Sequence, residues 1–205
     1  MLGTLTANDI QRRLGKLTAS NMWRAMDFLK SGKESAERKK YKTELVAERL
    51  TGVFVPHYVN RAMEHGIAFE PEARSVYTQR TGRKIIASQF LDHSEIDLCG
   101  ATPDGFVDDG LIEIKCPETT TFIKWALAGE VPDEHIPQMA LQMDVTGRDW
   151  VDFVAYDPRI PSGRNMLIIR YERSKAYQKE VRKMAKLFLA EVEEMFRIMT
   201  EGPWS

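Results

Sequence analysis

The stretch from Thr102 to Lys115, TPDGFVDDGLIEIK, concentrates charged groups that could do chemistry together. Asp109-Gly110 between two apolar runs reads as a two-residue hairpin turn that sets Asp108 opposite Leu111. Counting outward, Val107 then opposes Ile112, Phe106 opposes Glu113 and Asp104 opposes Lys115. Opposed residues share a face of a sheet, as do residues two apart along a strand, so Asp104, Glu113 and Lys115 project together. Val107, Ile112 and Ile114 project the other way and suit a core. Two neighbouring carboxylates repel, and one lysine offsets this only in part, so a divalent cation between them makes most sense of the set. Hard oxygen ligands select Mg²⁺ or Mn²⁺. With a metal-bound water as nucleophile and a lysine to deprotonate or orient it, this is the chemistry of phosphodiester hydrolysis. The same spacing also fits a surface hairpin with an ordinary cross-strand ion pair, which contributes little to stability.

The hairpin needs a frame, and the periodicity of the chain supplies one. Helices are expected at Asn8 to Leu14, Ser20 to Leu29 and Tyr41 to Leu50, with SGKESAERKK as a charged loop and Thr6 and Ser20 as N-caps. Beyond Pro56, the apolar spacing of Val59, Ala62, Met63, Ile67, Ala73, Val76 and Tyr77 predicts two helices broken at Gly66 and Pro71, the second ending at Gly82. KIIASQFL, LCGA, GFV and LIEIK read as short strands, followed by helices over Phe122 to Leu127 and His135 to Val145. WVDFVAY and MLIIRY are two further strands. Ser174 caps a long helix whose stripe of Tyr177, Val181, Met184, Phe188, Val192, Met195 and Met199 packs on the core. The result is one α/β domain over 1–205: a helical part at 1–82, a sheet core at 83–172 that carries the site, and a C-terminal helix at 174–200.

Composition limits the functions open to such a domain. At 205 residues, 43% hydrophobic and 29% charged, the chain can bury a sizeable core, which excludes disorder. No apolar run approaches a membrane span and the N-terminus lacks an apolar signal core, so a cytoplasmic protein without membrane contact is expected. Cys99 and Cys116 make no disulfide scaffold, and the four histidines show no zinc-binding spacing. A net charge of −1 conceals an asymmetry: residues 1–42 hold ten basic side chains against four acidic ones, and from Ile85 to Ile114 there is no Lys or Arg but seven acids. A basic arm of charge +6 thus precedes a remainder of charge −7. A basic segment of this kind suits phosphate contacts, although charged runs are commonly no more than solvated faces.

Pro103-Asp104 followed by Glu113-Ile114-Lys115 matches the PD-(D/E)-x-K nuclease signature, and ATPDG with LIEIKCP resembles the lambda exonuclease, or YqaJ-like viral recombinase, family. The resemblance continues through LGKLTAS (Leu14 to Ser20), HGIAFE (His65 to Glu70), Ile136 to Gln138 with Val145-Thr146-Gly147, and AYDPR (Ala155 to Arg159). It implies a restriction-endonuclease-like core, a central mixed sheet flanked by helices. It implies Asp104, Glu113, the backbone carbonyl of Ile114 and Glu70 as ligands of Mg²⁺, two ions per site with Mn²⁺ as a substitute. Lys115 then serves the attacking water, and Gln138 touches the scissile phosphate or the nucleophile. Ala68, Phe69 and Ala73 around Glu70 suggest a packed helix that aims it inward.

By the same resemblance, Arg13, Ser20 and Thr102 hold a terminal 5′-phosphate and Arg61 lies near DNA. The implied activity is 5′→3′ degradation of one strand of linear duplex DNA to mononucleotides, leaving 3′ single strands. The implied partners are a single-strand annealing protein and two further copies of the chain in a ring, which lets the basic arm face the DNA. Thr119, Thr120 and Thr121 stand where the family carries a basic residue, which puts one phosphate contact in doubt. A site-specific or structure-specific endonuclease on the same fold and a non-catalytic DNA-end-binding recombination scaffold are the rival readings; the scaffold should have lost one of Asp104, Glu113 and Lys115.

Overall fold

The computed structural model describes residues 7–55 and 61–203, excluding the side chains of 7–8 and 61–63. Helices α1 (Ala7–Arg13), α2 (Met22–Ala25) and α3 (Ala36–Thr51) lead to the long α4 (Arg61–Thr81). Strands β1 (Leu17–Thr18), β2 (Ile86–Ala87), β3 (Leu91–Asp92), β4 (Cys99–Ala101), β5 (Gly105–Val107) and β6 (Gly110–Lys115) precede α5 (Thr119–Ala128) and α6 (Ile136–Thr146). Strands β7 (Trp150–Tyr156) and β8 (Met166–Glu172) and helix α7 (Lys175–Glu201) complete the chain. No helix among the described residues is long and apolar enough to cross a membrane.

The larger sheet has the order β2-β5-β6-β7-β8, with β6 and β7 parallel and the other neighbours antiparallel. Every residue of β7 is buried, as expected of a central strand covered on both faces, whereas β8 alternates at the edge. On one face α4 lays Ala73 and Tyr77 against Val107, Ile112, Ile114 and Val154. On the other, α5 and α6 lay Phe122, Trp125, Met139 and Met143 against Leu111, Val151, Phe153 and Ala155. A smaller sheet, β1-β4-β3, packs with α2, α3 and α7 around Met22, Tyr41, Leu45, Phe188 and Val192.

The hairpin differs from the expected one in register but not in face. Val107 pairs with Gly110, Phe106 with Leu111 and Gly105 with Ile112, so the turn residues are Asp108 and Asp109. Asp108 takes the left-handed φ of 50° that the turn requires. Gly110 serves a different need: a Cβ there would collide with the Trp150 ring. The slip amounts to two residues, and a slip of two preserves the pleat, so Glu113 and Lys115 still project away from Val107, Ile112 and Ile114.

Other boundaries are corrected. Ser20 caps no helix; it lies inside a 3₁₀ turn, Ala19–Asn21, that runs into the short α2. The expected loop at SGKESAERKK is half helix, because the Ser35 hydroxyl accepts from Arg38 N at 3.0 Å and starts α3. Gly66 and Pro71 break nothing: α4 is continuous, with Phe69 on one side of Pro71 and Ala73, Val76 and Tyr77 on the other packed on one cluster. KIIASQFL divides into β2 and β3, which join different sheets. Ser174 caps α7 as expected, its hydroxyl accepting from Tyr177 N, but the apolar stripe frays at Met199, which is 40% exposed. Thr6 lies outside the described residues.

Candidate active site

Parallel strand pairs bring the two groups of expected site residues to one place. Lys115 ends β6 beside the end of β7, while Thr18 ends β1 beside β4, from which the chain runs on into Thr102. A cleft of about 1360 Å³ between them is lined by Glu70, Asp104, Glu113, Ile114, Lys115 and Gln138 and also by Arg13, Ser20 and Thr102. All the expected site residues whose side chains are described therefore share one cleft. Arg61 opens α4, but its side chain lies outside the described residues.

At the carboxylate end nearly every oxygen is assigned. Asp104 Oδ2 accepts the Ile114 backbone N–H at 2.6 Å, which ties the loop before β5 to β6. Glu113, its side chain 2% exposed, takes Lys115 Nζ at 2.6 Å and Gln138 Nε2 at 2.7 Å on Oε1, and Gln142 Nε2 at 2.7 Å on Oε2. Gln138 Oε1 lies 3.4 Å from Lys115 Nζ. Burial, and then the Glu113 carboxylate, push Asp104 up to about 7. Burial alone would lower Lys115, yet Glu113 and Asp104 outweigh it and hold the ammonium above its ordinary value. His135 is the reverse case: burial and then Lys115 bring it down to about 3, so the imidazole that stacks on Phe153 is neutral.

Glu70, buried on α4, is gripped by Arg74 at 2.8 and 2.9 Å, and Arg74 also donates to the Asp104 backbone carbonyl at 2.7 Å. Among the described residues no three His, Cys, Asp or Glu side chains converge as a ready-made metal cage. The donor set nevertheless suits a hard cation: two carboxylates with oxygen-only chemistry, where burial and then the Glu113 charge push Asp104 up and a divalent ion between them would relieve that penalty.

The other end of the cleft stands on shorter elements. Glu48 accepts Gly15 N–H at 2.8 Å and Arg49 Nε donates to Gly15 O at 2.8 Å, which pins the turn after α1 and with it Arg13. Arg13 Nη2 then donates to Thr102 Oγ1 at 2.6 Å. The Ser20 and Thr18 hydroxyls lie 3.3 Å apart, and Asn21 Nδ2 donates to Thr18 Oγ1 at 3.0 Å. Thr119, where a basic residue was missing, instead donates to Asp157 Oδ2 at 2.6 Å at the start of α5.

The YqaJ-like viral recombinase domain matches residues 10–149. The chain belongs to that family. The YqaJ-like chain is also similar to an alkaline exonuclease, LHK-Exo, from Laribacter hongkongensis, at 40% identity over 95% of this chain and 96% of that one, with a TM-score of 0.87. A second structure of LHK-Exo, in complex with dAMP, gives 0.88 at the same identity and coverage. A phage related exonuclease from Haemophilus somnus 129PT shares the fold at 14% identity, a TM-score of 0.71, and coverage of 90% and 96%. No curated protein sequence matches the chain significantly. The fold of the YqaJ-like chain is thus the restriction-endonuclease-like one, a mixed sheet between helices.

Four cleft or near-cleft residues of this YqaJ-like site escaped the sequence. Arg74 was signalled by its i, i+4 spacing from Glu70, and Gln142 by the same spacing from Gln138. Thr18 and Asn21 had no such signal, since their place depends on the pairing of β1 with β4.

Proposed function

We propose that this chain is a Mg²⁺-dependent 5′→3′ exonuclease that degrades one strand of linear duplex DNA from 5′-phosphorylated ends to mononucleotides, leaving 3′ single strands for recombination by single-strand annealing. The observation that carries this reading is the single cleft that holds Asp104, Glu113 and Lys115 together with Arg13, Ser20 and Thr102. The relative solved with dAMP, a mononucleotide, supports the product class.

In this reading Asp104, Glu113, the Ile114 carbonyl and Glu70 hold the cation, Mg²⁺ with two ions per site and Mn²⁺ as a substitute. When bound, the ion acts as a Lewis acid toward the phosphate and lowers the pKa of a water nucleophile. Lys115, kept as an ammonium by Glu113, donates to the attacking water and orients it. Gln138 steadies Glu113 with one end of its amide and faces the scissile phosphate across the cleft. Arg13, which lines the cleft, offers its guanidinium to the terminal phosphate, joined by the Ser20 and Thr102 hydroxyls. Arg61 adds a contact to the duplex. Arg24, Arg38 and Lys42 are buried in ion pairs, and the remaining basic side chains of 1–42 suit a ring of three copies around DNA, with a single-strand annealing protein as partner, the protein being of phage or prophage origin and acting in the cytoplasm of a bacterial host.

The test is release of acid-soluble nucleotide from linear duplex with 5′-phosphate or 5′-hydroxyl ends, beside closed circular plasmid, in Mg²⁺ and in EDTA. Metal-dependent release that favours the 5′-phosphate and spares the circle is the expected result. Cutting of the circle, or silence on every substrate despite binding, overturns it.

A further inference from the structure

Gln138 and Gln142 stand one turn apart on α6, and their amide nitrogens take opposite oxygens of Glu113 at 2.7 Å each. The two glutamines are not equivalent. Gln138 lines the cleft, whereas Gln142 is fully buried outside its lining, and its own Oε1 is buried with no hydrogen-bond partner. An unsatisfied buried carbonyl oxygen costs free energy, and a leucine or methionine of similar volume would avoid that cost. What the glutamine supplies and an apolar residue cannot is one N–H on Glu113 Oε2.

Among the described residues that bond is the one hydrogen bond on Oε2. The terminal torsion of a glutamate is soft and roughly two-fold, and both Lys115 and Gln138 pull on Oε1 alone. A second donor on Oε2 sets the plane of the carboxylate. Being neutral, the amide does so without cancelling the charge that a cation needs. We propose that Gln142 is a positioning residue, holding Glu113 in the orientation that binds the metal. The proposal rests on the assignment of Glu113 as a metal ligand.

Titration calorimetry of Mn²⁺ into the DNA-free chain tests it on wild type, Gln142→Leu, Gln142→Met and Glu113→Ala, with melting temperatures on the same samples. Turnover of 5′-phosphorylated duplex is followed at low and high Mg²⁺. Both Gln142 variants should bind Mn²⁺ about tenfold to a hundredfold more weakly, the usual effect of removing a group that orients a ligand, and melt near the wild-type temperature, since the unpaired amide oxygen they remove is exchanged for an unpaired Glu113 Oε2. Their kcat should recover when Mg²⁺ is raised by that factor, with KM for DNA unchanged, while Glu113→Ala shows no recovery. Wild-type Mn²⁺ affinity in both variants overturns the proposal and leaves the metal site standing. Loss of melting temperature together with an activity that extra Mg²⁺ does not restore assigns Gln142 a structural role and also overturns it. Equal Mn²⁺ binding by wild type and Glu113→Ala overturns the metal assignment itself, and the proposal with it.

Discussion

Glu113 and Asp152 sit on adjacent strands of one sheet, each with a side chain only 2% exposed, and they are compensated in opposite ways. The pairing of β6 with β7 sets Ile112 beside Asp152 and Glu113 beside Phe153, so the two carboxylates point to opposite faces. Asp152 receives two guanidiniums, Arg83 at 3.0 Å and Arg170 at 2.9 Å, and the Tyr77 hydroxyl at 2.7 Å. One negative charge meets two positive ones, and Arg170 also covers the Trp150 ring at 3.5 Å. Glu113 receives one ammonium and two neutral amides, and the neighbouring Asp104 is pushed up to about 7 by burial and then by Glu113. The first arrangement closes a charge off; the second leaves charge unspent where a ligand can reach it. That difference separates a carboxylate that holds the fold from the one we propose does chemistry.

The sharpest break in the comparison should come from the cleft side. Lys115→Ala is expected to lower kcat by about a hundredfold to ten-thousandfold, the usual worth of a placed proton-handling group, while DNA binding persists. Single-turnover cleavage with a parallel binding titration checks this, and undiminished turnover would remove the role. Asp152→Asn should do the reverse. Removing the charge between two arginines costs about 2 kcal/mol of stability, less than a fully enclosed pair would, because Arg83 and Arg170 are each about one-third exposed (37% and 35%). Urea unfolding measures the loss, and kcat at saturating Mg²⁺ should stay near wild type below the unfolding transition. An activity loss that outruns the stability loss would show that the two faces are coupled.

The far end of the cleft allows a smaller effect. Arg13→Ala removes one charged fork from the pocket, and its contact with Thr102 Oγ1 is replaced by water. The rate ratio between 5′-phosphate and 5′-hydroxyl ends should fall about tenfold, the scale of one hydrogen bond between charged groups, with kcat on long substrates less affected. An unchanged ratio would place the terminal phosphate elsewhere.

How much of this was legible follows from which quantities parity protects. The face shared by Glu113 and Lys115 was readable because pleat alternation survives a register slip of two, even though the turn moved to Asp108-Asp109. Gly110 misled the reading because its need comes from Trp150, forty residues away, and not from the turn. The start of α3 was hidden by its charged face, since Arg38 and Lys42 are buried by ion pairs with Glu191 of α7, which no local pattern reveals. The same holds for Asp152: its partners Tyr77, Arg83 and Arg170 converge from α4, the loop after it and β8, so its closed charge could not be told from an open one in the sequence.

A third buried carboxylate sharpens the distinction at the smallest scale. Asp144 lies on α6, two residues past Gln142, with Arg182 Nε at 2.7 Å and His93 Nε2 at 3.0 Å. Burial pushes its pKa up, but the Arg182 and His93 hydrogen bonds outweigh burial and hold it below the usual carboxylate range. A carboxyl depressed in the folded state binds its proton more weakly than in the unfolded chain. Its contribution is therefore fully present above an unfolded pKa of about 3.9 and is lost as pH falls through the folded value. Acid unfolding of the wild-type chain should include a component below about pH 4 that Asp144→Asn removes. Because Asp144 has one arginine where Asp152 has two, that component should be smaller than the effect of Asp152→Asn. Equal acid profiles for wild type and Asp144→Asn would mean that compensation by a partly exposed arginine does not close a charge, and the line between Asp152 and Glu113 would then have to be drawn by the second arginine.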